Sequence, residues 1–216
     1  MSTRILMLSG SFEYDSEESL ILLRDYLHAN ADVSCELILF TSAEDHPSLV
    51  AVDDADVVVV FTRRLLMQGV ELARLQQYCR DGRPIVGLRT GSHAFAHWLE
   101  FDRDVLGGNY AGHHASGVST SVTVASDAGA HPILEGIEPF VASGALYRNT
   151  PIAADTHLLL AGNAGDHHEP VAWTCERAGR AFYTSLGHQR DFWELDFLRL
   201  LRNGILWSVD QSSTAR

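Results

Sequence analysis

Gly87-Leu88-Arg89-Thr90-Gly91-Ser92-His93 is the segment with the clearest chemical implication. It follows an apolar run and opens a helical pattern, where a tight strand-to-helix turn projects one side chain into a cleft. Its glycines let the backbone pack closely. The projecting position is Arg89. A guanidinium keeps its proton and cannot act as a nucleophile. It can bind a carboxylate, a phosphate or a hydroxyl-rich ligand, or stabilise developing negative charge. The competing role is an ion pair with a buried acid that holds the loop.

The chain carries eleven histidines. His93 and His97, four apart, would share a helical face, the first toward the cleft and the second in packing. His113-His114 follows the glycine-rich Gly107-Gly108-Asn109-Tyr110-Ala111-Gly112. Neighbours on an extended segment point opposite ways, so one of the two faces a site, with His113 favoured. His188 ends a strand, and Asp191 follows it closely enough to orient its ring or to cap the next helix. His167-His168-Glu169 reads as an exposed loop, and His28, His46, His131 and His157 as structural. If His93, His113 and His188 converge, they could hold a divalent metal such as zinc. Glu13 and Tyr14, after the first apolar run, are further cleft candidates. One carboxylate does not make the paired acids of a glycosidase. No nucleotide-binding glycine pattern is present, so no nucleotide cofactor is expected.

The elements needed to position these groups can be read from the 216 residues. Arg4 to Ser9, Ser34 to Phe40, Ala55 to Phe61 and Pro84 to Leu88 read as strands, the third with four consecutive valines buried on both faces. Helices are expected from Asp15 or Ser16 onward, over Gln68 to Arg80, from Gly91 to Leu99 and over Phe192 to Val209. Val118 to Ala125, Leu158 to Ala161, Val171 to Thr174 and Arg180 to Ser185 make the second half strand-rich. Alternating strands and helices predict an α/β sheet, mostly parallel with helices on both faces, whose sites lie in the loops after Ser9, Phe61 and Leu88. One domain over 1–210 with a tail at 211–216 is expected.

A formal charge of −12 and no basic run argue against nucleic acid as a partner, and favour a small neutral ligand or a cation. No apolar run is long enough for a membrane span or a signal peptide. Cys35, Cys79 and Cys175 form no C-x-x-C pair, which suits a cytoplasmic, reducing location.

The elbow resembles the Gly-x-Cys-x-Gly of class I glutamine amidotransferases, with Arg89 in the place of the cysteine. More closely, the chain resembles the trehalose-utilisation (ThuA-like) family, which has that flavodoxin-like fold. The segments that carry the resemblance are Gly87 to Phe95, Gly107 to Tyr110 with His113-His114, Glu169-Pro170-Val171-Ala172-Trp173, Gly179 to His188 and Leu200 to Trp207, with Ser11 to Leu20 added. Many members have an acidic pair where this chain has Gly144-Ala145. The resemblance implies an enzyme of carbohydrate metabolism acting on a trehalose-related glycoside or keto-sugar by hydrolysis or isomerisation. His188 and His93 would be its acid/base groups and Arg89 its oxygen-binding group. Glu13, Asn109, Tyr14 and Asp191 would act on or position the sugar. The alternative is a non-catalytic sugar-binding or regulatory module, and a homodimer is open. Arg89 argues against cysteine-based amidotransfer.

Overall fold

The computed structural model describes residues 2–114, 119–177 and 179–210. Val118 of one expected strand and the expected tail at 211–216 lie outside them. The elements are β1 (Thr3–Gly10), α1 (Ser16–Asn30), β2 (Val33–Leu39), β3 (Val57–Thr62), α2 (Gly69–Arg80), β4 (Ile85–Leu88), β5 (Thr120–Val124), β6 (Phe140–Ala142), β7 (Thr156–Ala164), β8 (His167–Cys175), β9 (Ala181–Thr184) and α3 (Leu195–Val209).

All nine strands join one sheet in the order β2-β1-β3-β4-β9-β8-β7-β5-β6. From β2 to β9 every neighbouring pair is parallel. From β9 to β6 every pair is antiparallel. The expected parallel sheet is thus one half of a mixed sheet, and the strand-rich second half of the sequence supplies the other.

Strand alternation sorts the core onto two faces. Ile5, Met7, Val57, Val59, Val86 and Leu88 pack with Leu20, Leu23 and Leu27 of α1 and Phe197, Leu201 and Ile205 of α3. Leu6, Leu8, Val58, Val60 and Ile85 pack with Leu72, Leu75 and Tyr78 of α2. Every residue of β3 is buried, and each of its valines gains about 1.5–3 kcal/mol on burial. This is why a run of valines, rather than an alternating pattern, forms the central strand.

Several elements differ from expectation. No α-helix follows the elbow. Arg89–His93 is a 3-10 turn, and Phe95 then forms an isolated bridge with Leu65. The Leu65 N–H donates to the Ala94 carbonyl at 2.8 Å and the Ala96 N–H to the Leu65 carbonyl at 2.9 Å. Backbone groups that a helix would use internally are bound to Leu65. His93 and His97 therefore share no helical face, and His97 is exposed. His167-His168-Glu169 is the start of β8, not a loop. The last helix begins at Leu195, after a 3-10 turn over Gln189–Trp193. At the start of α1 the Asp15 side chain makes no cap. Ser16 Oγ instead accepts from the Ser11 N–H at 2.9 Å and bonds Ser9 Oγ at 2.9 Å.

Candidate active site

The elbow after β4 is tight because the backbone of β3 lies against it. A Cβ on Gly91 would come within 2.9 Å of the Val60 carbonyl oxygen, so only glycine fits. Arg89 itself has φ 43, a left-handed conformation that is costly for a side-chain-bearing residue. Tyr183 of β9 donates its hydroxyl to the Arg89 carbonyl at 2.7 Å, and Thr90 Oγ1 donates to Ser11 Oγ at 2.8 Å. Groups from β9 and from the end of β1 thus hold the strained turn.

The Arg89 side chain is 1% exposed. Nη1 donates to the Ser185 carbonyl at 2.9 Å and Nη2 to the Ala145 carbonyl at 3.3 Å. The guanidinium carbon lies 4.5 Å from the Tyr14 ring centre and 4.7 Å from that of Tyr147, within cation–π range. Arg89 therefore sits beneath two tyrosines, bonded to carbonyls and not to an acid.

Those tyrosines line a pocket of ≈ 580 Å³. Glu13 and Tyr14 reach it from the loop after β1, Arg63 and Arg64 from the loop after β3, and His93 from the elbow. Tyr110, Gly112, His113, Tyr147 and Arg148 complete the wall. This last group belongs to a two-stranded ribbon. The Ala111 N–H donates to the Arg148 carbonyl, and the Arg148 N–H to the Gly112 carbonyl, both at 2.9 Å. All three strand-end loops expected to form the site contribute to it.

One wall is aromatic. His93 stacks on Tyr110 with centroids 4.4 Å apart and planes 14° from parallel, and Tyr110 meets Tyr147 at 4.7 Å. Tyr110 is anchored from below, because its N–H donates to Asp102 Oδ2 at 2.8 Å. Burial pushes the Asp102 carboxyl up to about 6, and that hydrogen bond only partly offsets it. The pocket is also charged, with Arg63 Nε 3.1 Å from Glu13 Oε1. Arg64, Arg148 and the buried Arg89 have no carboxylate within bonding distance among the described residues. The overall charge of −12 thus does not describe this pocket.

Burial, then Arg63, Arg64 and Arg89, push His93 down to about 3. Ser92 Oγ donates to the Arg89 carbonyl at 3.3 Å, so it accepts from His93 Nδ1–H at 3.0 Å. His93 Nε2 is then an acceptor with no proton to give at neutral pH.

The other expected site residues are placed as follows. His113 lines the pocket, and its Nδ1 donates to the His114 carbonyl at 2.8 Å. His114 turns the other way, with Nε2 2.9 Å from Glu169 Oε1 and its ring stacked on His167 at 3.8 Å. Glu169, assigned to an exposed loop from the sequence, is buried, and its Oε2 accepts from the N–H groups of Asn149 and Thr150 at 3.0 and 2.9 Å. Asn109 is exposed and contributes nothing to the pocket wall, whereas Tyr110 beside it does. His188 also contributes no lining atom and meets the pocket only through an edge-on contact with Tyr14 at 5.9 Å. Its Nδ1 accepts from the Arg190 N–H at 3.2 Å, which puts the proton on Nε2. Asp191 does not orient that ring. Its carboxylate accepts from the backbone N–H groups of Ser143, Gly187 and His188 at 2.6, 3.0 and 3.0 Å, and it is 1% exposed.

The imidazoles do not fit a metal. Among the described residues no group of three or more His, Cys, Asp or Glu is placed to hold one. His93 faces Tyr110, and His188 lies beyond Tyr14. The cysteines offer no nucleophile there either. Burial pushes Cys35 up to about 11 and Cys79 to about 12, and Cys175 is buried.

Residues 4–208 match the family described as trehalose utilisation. The chain belongs to the ThuA family. Two solved ThuA-like proteins share its fold. The one from Parabacteroides merdae has TM-score 0.80 at 16% identity, covering 100% of this chain and 93% of that one. The one from Bacteroides uniformis has TM-score 0.75 at 18% identity, covering 97% and 92%. An exo-beta-1,4-mannosidase from Opitutaceae bacterium strain TAV5 aligns over 96% of this chain but 36% of its own, with TM-score 0.55 at 10% identity. No curated protein matches the chain. Among the described residues no helix is long and apolar enough to cross a membrane. Arg89 occupies the elbow of this ThuA member as a buried support for the tyrosines. Arg63, Arg64, Tyr110, Tyr147 and Arg148 were not singled out from the sequence. The first two were discoverable, because they follow the β3 run directly.

Proposed function

We propose that this ThuA-family protein is an enzyme that binds a trehalose-related keto-sugar in the Glu13–Tyr147 pocket and moves a proton beside its carbonyl. The observation that carries the reading is the aromatic cluster of His93, Tyr110 and Tyr147, which lines one cavity of ≈ 580 Å³ together with Glu13 and three arginines. Flat rings suit the apolar faces of a pyranose, and the volume falls within the range of small-molecule sites. Glu13 is the one carboxylate among the described lining residues. Glycosidases need two carboxylates flanking the bond. Proton abstraction beside a carbonyl needs one base and a donor for the developing oxyanion. Glu13 is the base in this reading, and the guanidiniums and tyrosine hydroxyls are the donors.

The test is solvent exchange. A 3-keto-glycoside incubated with the protein in heavy water is expected to gain deuterium at the carbon beside the carbonyl, and Glu13→Gln is expected to stop it. No exchange and no turnover with any keto-sugar would sink the enzymatic reading. Binding without exchange, lost in Tyr110→Ala, would establish the sugar-binding module instead. The elbow favours that second reading to one extent: its projecting side chain is buried and cannot touch a ligand.

A further inference from the structure

Resting on the reading that this pocket takes a sugar, we infer that the sugar carries an anionic group, a carboxylate or a phosphate, held by Arg64 and Arg148. Arg64 is exposed at the pocket, and its φ of 48 turns the chain sharply after β3. Its guanidinium has no hydrogen-bond or ion-pair partner among the described residues. Arg148, on the ribbon that pairs residues 111–112 with 148, donates from Nη2 to the Ala111 carbonyl and meets no acid. Arg63 is compensated by Glu13. Asp191 lies close enough to Arg89 to favour its charge, but its oxygens are taken by three backbone N–H groups. The cationic side chains at this pocket therefore outnumber the acids that could neutralise them.

A neutral disaccharide would leave Arg64 and Arg148 without a charged partner. A carboxylate or phosphate matches the planar fork of a guanidinium and can be bound by two N–H groups at once. The acidic remainder of the chain does not cancel this preference. Charges beyond about 8 Å are largely screened at physiological ionic strength, whereas the arginines meet a ligand directly.

Titration calorimetry on the full chain tests the idea with three probes: methyl glucoside, methyl glucuronide and glucose 6-phosphate. At least one charged sugar is expected to bind about tenfold or more tightly than the neutral one, as a charge-assisted hydrogen bond supplies. Arg64→Gln and Arg148→Gln are each expected to lower the affinity of the charged sugar far more than that of methyl glucoside, and added salt to narrow the difference. Whichever of glucuronide and phosphate binds tighter identifies the anion. Equal or tighter binding of methyl glucoside overturns the anionic preference and leaves the sugar site standing. If no sugar of any charge binds, both fall.

Discussion

A Cβ on Gly144 would lie 2.7 Å from Nη2 of Arg89, and Gly144 adopts φ 84. In this chain the two small residues make room for the guanidinium, and the Ala145 carbonyl takes one of its N–H groups. The small residues at 144 and 145 and the buried arginine are thus one arrangement. Gly144→Ala is expected to cost about 1–3 kcal/mol, from the left-handed backbone and the contact together. Urea denaturation measures it. In a double-mutant cycle with Arg89→Met the two losses should fall short of additivity. Full additivity would mean that the contact carries no weight.

His93 should report on the arginines around it. Its folded value near 3 lies below the ordinary 6.5. Between those values the unfolded chain binds the proton and the folded chain does not, so this group makes stability fall as pH drops from about 6.5 to 3. The His93 ring signals in an NMR titration should stay those of a neutral imidazole from pH 8 to pH 5. Arg64→Gln should move its titration upward. A His93 that titrates normally in the wild-type protein contradicts the buried, positive setting.

Asp102 should act in the opposite sense. Its folded value near 6 lies above the ordinary 3.8, so its contribution is greatest when protonated and is lost as pH rises through that window. Asp102→Asn should flatten this part of the pH–stability profile and still accept from the Tyr110 N–H. Asp102→Ala removes the acceptor, and ligand affinity should fall roughly tenfold through lost preorganisation of Tyr110. Affinity unchanged in Asp102→Ala would show that Tyr110 needs no such anchor.

The parallel half of the sheet was legible because its strands are buried on both faces, so Val57 to Val60 could only be a central strand. The two-residue spacing of β6 was not legible, since Phe140–Ala142 is three residues long at a sheet edge. The helix expected after the elbow failed for a non-local reason: Leu65, far back in the chain, binds the Ala94 and Ala96 backbone. Glu169 looked like a loop residue because its neighbours are polar, but His114 and two backbone N–H groups satisfy it on burial. Glu13, Tyr14 and His93 could be found at strand ends. Tyr147 and Arg148 could not, because only the pairing of two distant segments brings them to the pocket.

That pairing ties ligand binding to the last stages of folding. The walls from β1, β3 and β4 belong to the first hundred residues, and the 110–113 and 147–148 ribbon closes against them from a segment with long loops of its own. Loop closure over such separations is entropically costly and comes late. A chain with only its first hundred residues assembled lacks Tyr110, His113, Tyr147 and Arg148 of the pocket wall. If the proposed sugar binds there, it stabilises the finished protein over every partly folded form, by an amount that grows with the logarithm of its concentration.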